Sequence, residues 1–87
     1  MLEDIKLALR LKTDVFNDEI NMYVVACKNE LIRVGVNEDK YSEEDETIIN
    51  TTIAYCKWML NFQNQGDRWK DIYFSLKTSL ALDSKYK

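Results

Sequence analysis

No proline interrupts the chain, and its two glycines, Gly35 and Gly66, stand far apart. Strand-rich and loop-rich folds need frequent turn residues, and glycine and proline are the strongest of these. Apolar residues instead recur every three or four positions, the period of an α-helix with one buried face. The sequence therefore predicts an all-α fold: one compact four-helix domain over residues 1–87, with an acidic loop between helices two and three and a short C-terminal tail.

Two helices are predicted in the first 35 residues. The apolar face of the first comprises Leu2, Ile5, Ala8 and Leu9. The second should begin near Asn17, whose side chain can cap a helix, and end at Gly35, because glycine tolerates the left-handed position after a helix. Val36 should then contact Leu31, as in a Schellman ending. The buried stripe of this helix is predicted to comprise Ile20, Val24, Cys27, Leu31 and Val34.

The third helix is predicted from about Glu43 to Phe62. Ser42, with Asp45 three residues later, resembles a capping box. Apolar residues form two stripes on this helix, one of Ile49, Ile53, Cys56 and Leu60, the other of Ile48, Tyr55, Trp58 and Phe62. A helix that is apolar on two sides is either central to its own domain or also packed against a partner, and the pattern alone leaves both alternatives open.

The fourth helix is predicted from Trp69 to Leu80, with Asp67 as its cap. Its apolar face comprises Trp69, Ile72, Tyr73, Leu76 and Leu80. Thr78 and Ser79 are expected to bond to backbone carbonyls one turn earlier or to face a neighbouring molecule. From about residue 81 the chain is expected to be a tail with little to hold it in an isolated subunit.

The residues that enzymes and metal sites commonly use are scarce. The chain has no His and no glycine-rich phosphate loop, and Cys27 and Cys56 both lie in apolar helical patterns. We therefore expect free buried thiols in preference to a disulfide, and no enzymatic activity, metal or cofactor. No apolar run spans a membrane and no basic, then apolar leader is present, so neither membrane insertion nor secretion is expected.

Charge is distributed unevenly along the chain. Residues 36–46 carry six acidic residues and one basic, a net charge of −5, whereas residues 47–87 carry a net charge of +3. One interpretation is a solvated loop beside an ordinary helix; the other is that the acidic loop of one subunit faces the basic helix of the next. With a net charge of −3 and only a thin stripe of Lys70 and Lys77, sequence-specific DNA recognition is not expected.

Ten aromatic residues, two of them Trp, exceed what one small helical core requires. Trp and Tyr are favoured anchors of protein interfaces, so the surplus as a group points to an interaction protein. For any single one of these rings, the alternative is a place in the chain's own core, which is the more common assignment. The candidate interface residues are Glu43, Glu44, Asp45, Tyr55, Trp58, Phe62, Trp69, Tyr73, Lys77, Thr78, Ser79, Leu80 and Leu82.

Three segments give the chain a family resemblance over nearly its full length: "LEDIKLALRL" followed by "DVFNDEI", the middle helix closing on "GV", and "IYFSLKTSLAL". With them the chain resembles the small head–tail connector proteins of tailed bacteriophages, also called head-completion or portal adaptor proteins. The resemblance implies an all-helical structural protein without a cofactor, present in the virion at the portal vertex after assembly in the host cytoplasm.

The resemblance also implies partners. Copies would form a ring with one another, dock on the portal protein, and receive a downstream connector or tail protein. DNA would pass the ring without its sequence being recognised. The alternative is a small helical phage regulatory domain that binds DNA or a protein partner.

Overall fold

The computed structural model describes every residue from Met1 to Lys87 and confirms the all-α prediction. It contains no strand, and its extents are 37 × 24 × 18 Å. The four α-helices are α1 (Leu2–Ala8), α2 (Asn17–Arg33), α3 (Glu46–Met59) and α4 (Gly66–Leu82). Three short 3₁₀ turns lie at Glu38–Lys40, Phe62–Asn64 and Ser84–Tyr86.

Helix α3 is the central element, because it packs against each of the other three helices. Helices α1 and α4 flank the α2–α3 pair, and the core has a cluster on each flank. The cluster on the α4 flank comprises Cys27, Leu31, Val36, Ile48, Ala54, Tyr73, Leu80 and Tyr86. The cluster on the α1 flank comprises Ile5, Leu9, Ile20, Val24 and Cys56. Of the two alternatives for an apolar helix three, the structure places it at the centre of its own domain.

The predicted end of α2 is confirmed. The backbone N–H of Gly35 donates to the carbonyl of Ile32 at 3.2 Å, and that of Val36 donates to Leu31 at 3.0 Å. This is the hydrogen-bond pair of a Schellman ending. Gly35 adopts a φ of +125°, which a residue with a Cβ rarely adopts. The turn buries Val36 beside Leu31, as the sequence predicted.

The predicted start of α3 is wrong by three residues. Asp45, not Ser42, is the N-cap: its Oδ1 accepts hydrogen bonds from the backbone N–H groups of Thr47 at 2.9 Å and Ile48 at 3.2 Å. Ser42 instead accepts from the N–H of Glu44 in the turn before the helix. An aspartate at the cap satisfies two free N–H groups at once, which explains why the helix begins after it.

The caps predicted for α2 and α4 are also wrong. Asn17 is the first residue of α2, and its side chain donates to Asp14 at 3.4 Å instead of capping. Asp67 lies inside the first turn of α4. The N–H of Gly66, where α4 begins, donates to the side chain of Asn61 at 2.9 Å. Asn61 has a left-handed φ of 47° and ends α3 before Phe62 is reached.

The C-terminal tail is held firmly, contrary to expectation. The ring of Tyr86 is 2% exposed within the core, and its hydroxyl donates to Asp45 Oδ2 at 2.9 Å. The carbonyl of Tyr86 accepts from the N–H of Asn37 at 2.7 Å. Lys85 Nζ also lies 3.5 Å from Asp45 Oδ2. The tail therefore closes the core over the start of α3, because its penultimate residue is an aromatic large enough to fill the space there.

Replacing Tyr86 with alanine should destabilise the isolated chain strongly. The substitution removes a buried aromatic ring and leaves a cavity, at a cost of about 3 kcal/mol or more in the free energy of unfolding. Urea unfolding followed by circular dichroism measures this difference. Leu82→Ala is the matched control, because Leu82 is 73% exposed and should change stability by less than about 0.5 kcal/mol. Equal stabilities of Tyr86→Ala and the parent chain would contradict a docked tail.

Candidate interaction surface

The surplus aromatic residues join the helices to one another. Tyr55 and Trp58 on α3 pack against Tyr73 on α4, with ring centroids 5.1 and 5.9 Å apart. Tyr23 on α2 extends the cluster to Tyr55 at 6.3 Å. Such pairs each contribute roughly 0.5–1.5 kcal/mol beyond the area they bury. Tyr55 and Trp58 remain half-buried, so their outer edges are the part of this cluster that another molecule could reach.

Lysines lie over several of these rings. Lys57 Nζ is 4.1 Å from the ring centroid of Trp69 and 4.9 Å from that of Phe62. Lys77 Nζ is 4.2 Å from the centroid of Phe74 and forms an ion pair with Glu30 at 3.2 Å. Cation–π contacts at exposed positions contribute about 0.5–1 kcal/mol each. The charge of Lys77 is thus partly neutralised within the chain, which reduces its attraction for phosphate.

Glu30 connects α2 to α4 at this point. Hydrogen bonds from Arg33, and then from Lys77, lower the pKa of the Glu30 carboxyl to about 2 although burial alone would raise it. Because the pKa falls on folding, this carboxylate stabilises the folded chain above its ordinary pKa of 4.5. The contribution is lost as the pH falls from there towards 2.

The acidic segment divides into a structural part and a free part. Asp45 caps α3, accepts from Tyr86 and faces Lys85, and its side chain is only 14% exposed. Glu43 and Glu44 are exposed, and neither forms an ion pair. Of these three predicted interface residues, the structure therefore leaves Glu43 and Glu44 on the surface and places Asp45 within the chain's own contacts.

The predicted interface residues near the C-terminus are also divided. Tyr73 and Leu80 are 1% and 2% exposed and belong to the chain's own core. Thr78 Oγ1 donates to the carbonyl of Phe74 at 2.9 Å, the bond to an earlier turn that the sequence predicted. Ser79 is exposed, and Leu82 is 73% exposed. Phe62, Trp69 and Lys77 are half-buried. The C-terminal segment is thus a core element with a hydroxyl-rich outer face.

Apart from Leu82, sequence reasoning missed the most exposed apolar residues. Leu7 is 81% exposed on α1, Val15 is 80% exposed before α2, and Met22 and Val25 are 70% and 58% exposed on α2. Leu7, Met22 and Val25 fall outside the apolar stripes of their helices, and Val15 lies in the turn between α1 and α2. A large apolar residue on the polar side of a helix does not pack into the core. Its position in the sequence could therefore have identified it as exposed.

Neither cysteine is activated as a nucleophile. Burial raises the pKa of the Cys27 thiol to about 11 and that of Cys56 to about 12, so both stay protonated at neutral pH. They are unpaired and buried, as the sequence predicted. No group of three or more acidic or cysteine side chains is arranged to hold a metal ion. None of the helices combines the length and apolarity needed to cross a bilayer.

Comparison with known proteins identifies one family. The family model described as phage connector protein matches residues 1–87, the whole of the sequence. Neither a curated protein nor a solved structure matches the chain.

Replacing Asp45 with asparagine should make stability less dependent on pH. Burial would raise the Asp45 pKa, but hydrogen bonds from Tyr86 and the backbone and the charge of Lys85 hold it below 3.8. Asparagine has only one acceptor oxygen, so it can accept either from the backbone N–H groups at the start of α3 or from the Tyr86 hydroxyl. The free energy of unfolding should therefore fall by about 1 kcal/mol at pH 7.

The difference between the Asp45→Asn variant and the parent should shrink as the pH falls from the ordinary aspartate pKa of 3.8 through the lower pKa that Asp45 has in the folded chain. Urea unfolding between pH 2 and 7 measures this trend. Glu43→Gln, at an exposed position without a partner, should leave stability unchanged throughout. A constant difference between the Asp45→Asn variant and the parent at every pH would show that the Asp45 charge does not stabilise the fold.

Proposed function

The chain belongs to the phage connector protein family, and from this premise we propose that it is a head–tail connector subunit. Copies assemble into a ring beneath the portal, and the ring joins the DNA-filled capsid to the next connector or tail component. The family match over all 87 residues carries this proposal. The subunit acts by assembly, without a reaction or a cofactor.

The distribution of exposed apolar side chains supports assembly. Leu7 lies on one flank of the molecule, Met22 and Val25 lie on α2, and Leu82 lies at the end of α4. A ring needs heterologous interfaces, in which one patch of a subunit meets a different patch on the next. Apolar residues on several different elements suit that requirement, and they leave further surface for the portal and the downstream component.

The acidic segment supplies the second part of the proposal. Glu43 and Glu44 are exposed and unpaired, so they are available to a basic surface of a neighbouring subunit or of the portal. Asp45 is engaged inside its own chain and is not included. Opposite charges at such a contact steer association and set register more than they add affinity.

In this proposal DNA passes through the ring without its sequence being recognised. The net charge of −3 gives the chain no general attraction for phosphates, and Lys77 is already paired with Glu30. Because a ring with these charges attracts DNA only weakly, the DNA can slide through it during ejection. The subunit would thus reside in the virion at the portal vertex after assembly in the host cytoplasm.

Purified portal protein provides the direct test. Mixed with the chain, it should give a complex that carries several copies of the chain per portal ring, measured by light scattering and seen as an added ring by electron microscopy. A chain that stays monomeric or dimeric with portal present would contradict the connector proposal. Tight, sequence-dependent binding of duplex DNA at physiological salt would favour the regulatory alternative.

Reversing the two free acidic charges should weaken assembly on the portal. The double variant Glu43→Lys/Glu44→Lys keeps the Asp45 cap, so it should fold normally and bind more weakly at low salt, with the difference fading at high salt. The control Glu38→Lys/Asp39→Lys changes the net charge equally at exposed positions of the same segment. Equal effects of both double variants would point to net charge instead of a contact at Glu43 and Glu44.

A further inference from the structure

An open apolar pocket of about 300 Å³ lies at one end of the molecule, where α1 ends, α2 begins and α3 ends. We name it the Phe16–Phe62 pocket. Its apolar lining comprises Leu9, Leu11, Phe16, Leu60 and Phe62. The side chains of Asn61 and Gln63 complete the lining with amide groups. Phe16 is 38% exposed, so solvent reaches an aromatic surface here.

Backbone strain is concentrated around this pocket. The chain has four non-glycine residues with positive φ, and all four lie in or beside the pocket-lining segments: Arg10 (58°), Asn61 (47°), Gln63 (53°) and Asn64 (60°). Asparagine tolerates this conformation, but for Arg10 and Gln63 it costs on the order of 1 kcal/mol each. Strain of this kind persists where the surrounding structure enforces it, and it clusters at functional sites.

Two cations without acidic partners flank the pocket. Lys57 Nζ lies 4.9 Å from the centroid of the Phe62 ring, and Arg10 stands between the lining residues Leu9 and Leu11. Neither cation forms an ion pair. Burial, and then the nearby charge of Arg10, lower the pKa of Lys57. The rim therefore carries positive charge that an apolar ligand with carboxylates would neutralise.

A surface with the complementary properties lies on the same chain. Leu7 is 81% exposed and borders a groove of about 550 Å³ between α1 and α3. Three carboxylates, those of Asp4, Glu44 and Glu46, line the groove beside it. Asp4 meets only the N-terminal amine, at 3.8 Å, and Glu44 and Glu46 form no ion pair. We name Leu7 with these three carboxylates the Leu7 surface.

We propose that the Leu7 surface of one copy docks into the Phe16–Phe62 pocket of a second copy. Leu7 enters the apolar pocket, and the carboxylates around it approach Arg10 and Lys57 on the rim. Within one chain Leu7 stays exposed, so the contact requires two molecules. This inference rests on the proposed function, since it names the two surfaces by which ring subunits join.

Such a contact is heterologous, so it can join more than two copies. The two surfaces differ, so each copy offers a free pocket to one neighbour and a free Leu7 to another. Heterologous contacts of this kind continue head to tail and give a ring where the rotation between copies closes. The apolar side chain in the pocket would anchor the contact. The opposite charges around it would fix the relative position of the two copies.

Disulfide trapping tests the contact directly. Chains carrying Leu7→Cys are mixed with chains carrying Gln63→Cys, in the presence of portal, and oxidised. Both positions are exposed, and the native thiols Cys27 and Cys56 are buried, so new disulfides report the new cysteines. The mixture should give a cross-linked pair on a non-reducing gel. Ser79→Cys, exposed on α4, replaces Gln63→Cys in the control mixture and should give little product.

Charge exchange supplies an independent measurement. Arg10→Glu and Glu44→Arg should each weaken self-association about three- to tenfold at low salt, and the two together in one chain should restore it. Arg10 and Glu44 are exposed and form no ion pair, so both variants should unfold at the parent's urea midpoint. Lack of restoration in the double variant would overturn the pairing of these two surfaces.

The outcomes separate this contact from the proposed function. Rings on the portal without the Leu7–Gln63 cross-link would overturn the contact and leave the connector proposal standing. The cross-link without portal binding would support the contact and contradict the connector proposal. Strong cross-linking of Leu7→Cys chains with one another would show a symmetric dimer and would overturn the head-to-tail contact.

Discussion

The burial of α3 is the constraint on which the rest of the structure depends. Helices α1, α2 and α4 all pack on it, and its buried side includes Thr51 and Thr52 as well as apolar residues. The two hydroxyls donate to the carbonyls of Thr47 and Ile48 at 2.8 Å each, so both are paired within the helix. With three helices around it, one 14-residue helix organises both core clusters in a chain of 87 residues.

Helix periodicity predicted the elements well because apolar spacing is a local property. The stripe from Ile20 to Leu31 and the turn at Gly35 follow from residues within one helix, and the structure confirms both. The caps could not be predicted in the same way. Ser42, Asp45 and Asn17 all have side chains suited to capping, and the choice among them depends on where the packed helix begins.

The contact between the C-terminal tail and Asp45 shows why the candidate interaction surface could be predicted only in part. Tyr86 and Asp45 are 41 residues apart in the sequence and 2.9 Å apart in the fold. No local pattern records that contact, so the sequence alone predicts a free tail at Tyr86 and a free acidic surface at Asp45. The exposed apolar residues Leu7 and Met22 escape sequence analysis for the converse reason: they stand outside the buried stripes, and periodicity describes only what those stripes bury.

The closure of the core by Tyr86 has a consequence for assembly. Small domains are often only marginally stable unless a partner or a covalent link supplements the core. Here the chain's own last residues cover the start of α3, so the core does not need a neighbour to complete it. The exposed Leu7 and the open Phe16–Phe62 pocket are therefore surplus to folding. The proposed contact between copies therefore uses surfaces that one chain leaves open after its own core is closed.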